Sequence, residues 1–294
     1  MKTCDKGHNH SKGHSKGPKV PKNVFWFTFF HTASGYVGIY YFSLYYMRNN
    51  PEDFPEHYYT FHFWIYNFAM AFCLTNLVLA RFKSPGKSCN TREETDGKCE
   101  KCNIYRIDRT HHCSNCKMCI IRMDHHCAWV SNCIGLNNHK NFFWYTFYTA
   151  IGGTYHVYLC LMYAFSSYPP ATESYLARIW FFLHTLIVAI FTYFCITLIN
   201  MQMKFIARNN TNLEYMKEIG MNWDFMKCII WPIENDYDRG LIPNLIMVFG
   251  FDFCWWLLPT APVNYYFYQG KYGLPKPTQK EVTELKVKYD LDDD

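Results

Sequence analysis

Near the middle of the chain stands "MDHHCAWVSNC", Met123 to Cys133. Thiols and imidazoles at this density can hold a soft metal or attack an electrophilic carbon. The stretch ends a longer one, "CEKCNIYRIDRTHHCSNCKMCIIRMDHHCAWVSNC", which begins at Cys99 and holds seven Cys and four His. Comparing it with itself at an offset of 14 maps Cys99, Cys102, His112 and Cys119 onto Cys113, Cys116, His126 and Cys133. Both sets read C-x2-C-x9-H-x6-C. Three thiolates and one imidazole are the donors of a closed tetrahedral Zn²⁺ site, so two structural zinc ions are expected. Three donors remain over: His111, His125 and Cys127.

Cys127 sits between two ligands of one site, His126 and Cys133, so its backbone is held while its thiol is not needed by the metal. His125 lies two residues before it, and Asp124 can hold the imidazole tautomer. A nucleophile, a base and an orienting acid are thereby adjacent in sequence. A neighbouring His lowers a thiol from its free pKa of ~8.5 toward neutrality. Spacing alone leaves a second reading open, in which Cys127 is a spare zinc ligand and His125 a solvated residue.

Other elements must carry this loop. The chain has 294 residues, of which 20% are aromatic and 18% charged, with 24 Tyr and 25 Phe. Four runs, 24–47, 58–80, 142–168 and 179–203, lack Asp, Glu, Lys and Arg altogether. Helices of about 20 residues cross the ~30 Å hydrocarbon layer. Four transmembrane helices are therefore expected, with the cysteine-rich loop between the second and third. Six Lys against one Asp precede the first run, and eleven Lys/Arg against six acids fill 81–141. By the positive-inside bias both termini and this loop face the cytosol. Thiols stay reduced there, which favours metal or catalysis over disulfides. The expected fold class is an all-α polytopic membrane protein with a cytosolic two-zinc domain. Its expected divisions are a flexible cytosolic arm at 1–22, helices one and two at 23–81, the zinc domain at 82–141, helices three and four at 142–204, and a cytosolic region at 205–294 with a membrane-packed aromatic segment.

"DHHCAWVSNC" and the Cys/His frame before it resemble the DHHC cysteine-rich domain of protein S-acyltransferases (palmitoyltransferases). The four spans, "GLNNHKNFF", "TNLE" at 211–214 and "YDRGLIPNLIMVFGFDFCWWLLP" extend the likeness. The resemblance implies transfer of a long-chain acyl group from acyl-CoA, palmitoyl-CoA above all, to Cys127 and then to a cysteine of a substrate protein. His125 would serve as base and acid and Asp124 would orient it, with Thr211, Glu214 and Asn244 in support. It also implies partners in the lipid bilayer and in cytosolic or membrane proteins with juxtamembrane cysteines, in an endomembrane or the plasma membrane. No nucleic-acid partner is expected. Three positions depart from the family pattern: Ala128 stands where Pro is usual, Arg106-Ile107 replaces a basic-Pro pair, and Asn212 replaces the second Thr of Thr-Thr-x-Glu.

Acyl-CoA needs a basic mouth and an apolar interior. Arg106, Arg109 and His111 are the candidates for its phosphates, with a solvated cytosolic face the plainer reading for each. By resemblance Trp129 and Phe142 line the mouth of the acyl cavity; Trp129 also suits an interfacial anchor. Small residues in the spans, Ser34, Gly35, Gly152 and Gly153, either shape that cavity or simply let helices pack. His31, His62, His156 and His184 lie in the spans without paired acids.

Overall fold

A computed structural model describes residues 23–39, 44–52, 54–88, 97–106, 108–165, 175–219, 236–250 and 253–259. The His-rich arm at 1–22, Cys89, Ile107, Asp252 and the charged tail lie outside them. The helices are α1 (Asn23–Ile39), α2 (Tyr45–Asn49), α3 (Glu56–Phe82), α4 (His139–Phe165), α5 (Tyr175–Ala207), α6 (Asn212–Ile219) and α7 (Leu241–Phe249), followed by a 3₁₀ turn at Phe253–Trp255.

At 27 residues, α3 and α4 are each ~40 Å long at ~1.5 Å per residue. Among the described residues two helices, Glu56–Phe82 and Ile179–Ala207, are long and apolar enough to cross a membrane. The four-span expectation is met by two helices on this count. The 17 described residues of α1 are short of a full span, and the Tyr, Thr and His residues of α4 dilute its hydropathy. Apolar side chains point outward as well as inward: Phe182, Ile187, Ile190 and Tyr193 of α5 are exposed. A helix apolar on every side has lipid for its solvent.

The all-α expectation needs correction. Between α3 and α4 run six short strands, β1 (Lys98–Cys99), β2 (Ile104–Tyr105), β3 (His111–Cys113), β4 (Met118–Ile120), β5 (His125–Cys127) and β6 (Asn132–Ile134). They pair as three separate antiparallel hairpins, β1–β2, β3–β4 and β5–β6. In the first two a tight Cys-x2-Cys turn brings the chain back on itself, and the flanking residues pair. Strands of two or three residues cannot sustain a sheet. What joins the hairpins must be something other than a ladder.

Candidate active site and metal centres

The three hairpins are copies at a spacing of 14. Cys99 faces Ile104, Cys113 faces Met118, and Cys127 faces Asn132. Each turn closes through a left-handed residue at the same place, Asn103, Lys117 and Ser131. Hairpin one supplies Cys99 and Cys102, which meet the cross-strand pair His112 and Cys119 of hairpin two. Hairpin two supplies Cys113 and Cys116, which meet the cross-strand pair His126 and Cys133 of hairpin three. Each group of four keeps its donor atoms within 4.8 Å of one another. Sulfur to Nδ1 distances are 3.2–4.0 Å around His112 and 3.4–3.6 Å around His126. Tetrahedral zinc with Zn–S ~2.3 Å and Zn–N ~2.0 Å places its ligands ~3.5–3.8 Å apart. The eight residues therefore fit two zinc ions, which would staple hairpin one to two and two to three.

Hairpin three begins a third copy and does not finish it. Cys127 takes the place of Cys99 and Cys113. Where Cys102 and Cys116 provide the second thiol, Val130 stands, fully buried in the apolar cluster with Leu77, Ile134 and Phe142. At the positions that would continue the set, 14 after His126 and Cys133, the chain has Lys140 and Phe147. Cys127 is a metal-type position stripped of its co-ligands, with its thiol free of both clusters.

Its neighbours give that thiol a proton acceptor. His125 and Cys127 share one strand and project toward the same side, as residues two apart must. The imidazole Nδ1 lies 2.7 Å from Asp124 Oδ2, and the Cys127 sulfur is near enough to favour the charged ring. Burial works against a charge on His125. The Asp124 hydrogen bond and the nearby Cys127 sulfur outweigh it and lift the imidazole to about 10. Asp124 is fully buried, which alone would raise its carboxyl. The hydrogen bond and charge of His125 and the Asn212 amide instead hold it well below the carboxylate range. The His125 side chain keeps 24% exposure, and its ring rests 5.0 Å from that of Phe142.

Asp124 is anchored from a distant helix. "TNLE" forms a capping box at the start of α6: Thr211 Oγ1 accepts the Glu214 amide at 3.3 Å, and Glu214 Oε2 accepts the Thr211 amide at 2.8 Å. The next free amide, that of Asn212, donates to Asp124 Oδ1 at 2.8 Å. A carboxylate suits the positive end of a helix. Since Asn212 contributes its backbone, replacement of the family's Thr leaves this contact intact.

The structure puts Arg109 to a different use from the phosphate contact expected of it. Only 3% exposed, it grips Glu214 through two bonds of 2.6 Å, donates to Asn209, and lies under the Tyr237 ring. A guanidinium so engaged ties the hairpins to α6 instead of facing solvent. His111 is half-buried; burial first, then the charges of Lys217, Arg106 and Arg109, hold it down at about 4. Arg106 is half-buried in the same basic neighbourhood. Trp129 is 40% exposed with its ring 6.0 Å from Phe191 of α5. Asn244 is buried; it donates to the last carbonyl of α5, Ala207, at 2.8 Å and to Asp238, and accepts from the Arg239 amide. It thus closes a span end whose carbonyls would otherwise go unpaired.

Sequence reasoning missed the residues that hold hairpin three against the membrane helices. Asn132 donates to the carbonyls of Ala80, Arg81 and Lys83 at the end of α3. Asn138 donates to Ala80 and Cys133 and accepts from Gly135. The concentration of Asn in "GLNNHKN", at the start of α4, was the available signal. A cavity opens among α1, α3, α4 and α5, lined by His31, Gly35, Tyr66, Gly153, Phe191 and Thr192 among others. A Cβ on Gly153 would fall 2.0 Å from Thr192 Oγ1, so this glycine serves close helix packing as well as the cavity wall.

Residues 92–219 match the family described as DHHC palmitoyltransferase. The chain is 26% identical to "Probable protein S-acyltransferase 15" of Arabidopsis thaliana over 68% of its own length and 84% of the relative. It is 34% identical to "Probable protein S-acyltransferase 14" of the same plant, covering 63% of this chain and 57% of that protein. With "Palmitoyltransferase PFA3" of Eremothecium gossypii identity is 33% over 55% of this chain and 52% of the relative. The two zinc-type clusters and the incomplete third hairpin all lie within the residues that match the DHHC palmitoyltransferase family, and the chain is similar to proteins named as S-acyltransferases.

Proposed function

We propose that the chain is a protein-cysteine S-acyltransferase working through a Cys127 thioester. The observation that carries this reading is a thiol at a metal-type position, without metal co-ligands, on one strand with an imidazole that a buried carboxylate orients. In the first half-reaction the Cys127 thiolate attacks the carbonyl carbon of a long-chain acyl-CoA. A carbon–sulfur bond to Cys127 forms, the bond to the CoA sulfur breaks, and the leaving thiolate takes the proton held on His125. In the second, a substrate cysteine yields its proton to His125 and attacks the same carbon, releasing Cys127 as thiolate. Asp124 keeps the imidazole turned toward the sulfur throughout and is not itself protonated. Cys99, Cys102, His112 and Cys119, with Cys113, Cys116, His126 and Cys133, would hold two zinc ions whose contribution is to fold the hairpins.

Four spans, both termini and the hairpins cytosolic, remain our reading of the topology. It places the acyl chain in the cavity among α1, α3, α4 and α5, with Trp129 and Phe142 at its mouth. The reactive sulfur then lies where lipid meets cytosol, which selects substrate cysteines close to a membrane. The basic neighbourhood of Arg106, His111 and Lys217 suits the CoA phosphates. Each CH₂ withdrawn from water contributes ~0.8 kcal/mol, so the chain length supplies much of the binding.

Purified protein incubated with labelled palmitoyl-CoA should acquire a hydroxylamine-sensitive adduct on Cys127, located by peptide mass spectrometry. Cys127→Ser should carry no such label. An adduct that survives this substitution, or none on the unaltered chain, would refute the mechanism.

A further inference from the structure

Beneath the site lies a buried polar chain that the proposed reaction does not itself require. Arg122, at 1% exposure, directs Nη1 to His139 Nδ1 at 3.1 Å and Nη2 to Asn209 Oδ1 at 3.1 Å. His139 Nε2 lies 2.6 Å from Gln202 Oε1 of α5, and Gln202 Nε2 lies 3.2 Å from Asp124 Oδ2. Each donor in this chain is determined by its neighbour. A guanidinium only donates, so His139 Nδ1 must accept and its proton must sit on Nε2. That proton can go only to an acceptor, which assigns the carbonyl end of Gln202 to His139. The amide nitrogen is left for Asp124, whose carboxylate only accepts. No member can turn around without setting donor against donor or acceptor against acceptor.

We propose that Gln202 is a positioning residue for the Asp124–His125–Cys127 unit, orienting the Asp124 carboxylate at the end of this one-way chain from Arg122 through His139. Asp124 Oδ2 accepts two hydrogen bonds, one from Gln202 and one from His125, while Oδ1 accepts one from the Asn212 amide. Three donors from three elements leave the carboxylate no freedom to rotate about its Cβ–Cγ bond, and the imidazole it holds keeps its aim on Cys127. Without the amide of Gln202, Oδ2 is held by the very group it should orient. Gln202 is 4% exposed and lies near the cytosolic end of α5, so the arrangement also makes the active geometry depend on the seating of that helix. The inference rests on the reading of Cys127 as a nucleophile, but not on what it attacks.

Gln202→Met keeps the shape and removes both polar atoms. The rate of Cys127 acylation at saturating palmitoyl-CoA should fall roughly tenfold, the loss of one hydrogen bond to a charged group. The half-saturating concentration and the content of two zinc ions should not change. Alkylation of Cys127 by iodoacetamide should slow in parallel; this arm needs no acyl-CoA and remains informative if acyl transfer itself were to fail. In an Asp124→Asn background the same substitution should have no further effect, because Gln202 acts only through that carboxylate. A wild-type rate in Gln202→Met, or an equal loss in both backgrounds, overturns the proposal. Should Gln202→Met lose zinc, His139→Phe decides. It frees the amide to rotate, and the proposal requires slower alkylation of Cys127 that Asp124→Asn abolishes; an unchanged rate or an additive loss overturns it.

Discussion

Two adjacent histidines should fail in opposite ways. His126→Ala should drop the zinc content from two ions to one and abolish acylation. His125→Ala should retain both ions and lose on the order of 10²–10⁴-fold in rate. The difference follows from the strand. His126 points to one side, where its Nδ1 meets Cys113, Cys116 and Cys133. His125 points to the other, toward Asp124 and Cys127. A metal ligand lost from hairpin three removes the metal cross-link between it and hairpin two, which no strand ladder among the described residues replaces. Loss of the base leaves the frame standing and takes away only the proton acceptor. Metal analysis beside a labelling assay separates the two, and equal zinc loss in both variants would contradict this division of labour.

Asp124→Ala is expected to be costly in both stability and rate. The carboxylate accepts from Gln202, from His125 and from the Asn212 amide while fully buried. Truncation strands the Gln202 and Asn212 donors away from water, at about 1–3 kcal/mol each. It also releases the imidazole from its tautomer, for a fall in acylation on the order of 10²–10⁴-fold. Asp124→Asn keeps an acceptor for the Asn212 amide and should recover part of the stability with little of the rate. Thermal denaturation and single-turnover labelling of the two variants test this. Equal stability in both would mean that the buried acceptor has no structural part.

The zinc frame was legible because ligand chemistry is a matter of residue type and spacing, and a complete set recurring at the same offset leaves little room for accident. The same comparison did not reveal the third hairpin, since it sought complete ligand sets and hairpin three keeps only Cys127. A hydrophobic Val130 carries no sign in sequence that it stands where a thiol would. Strands were missed for a related reason: two or three residues show no alternation, and each pair is too short to leave a pattern in the sequence. Arg109 read as a surface cation because a cytosolic loop is rich in them, while its partner Glu214 lies 105 residues away. Gln202, Asn132 and Asn138 looked like ordinary polar residues near span ends. Their meaning lies in tertiary contacts with Asp124 and with the carbonyls that end α3. Thr211 and Glu214 could have been read as a capping box from the sequence, a physical role that the motif resemblance concealed.

The account depends on one sulfur staying unbound while eight other donors hold metal around it. The most direct measurement is brief treatment of the native, zinc-loaded protein with iodoacetamide, with zinc counted and each cysteine of the hairpins assayed by mass spectrometry. The prediction is two retained zinc ions, modification of Cys127, and protection of Cys99, Cys102, Cys113, Cys116, Cys119 and Cys133. A Cys127 that resists the reagent until a chelator strips the metal would contradict it.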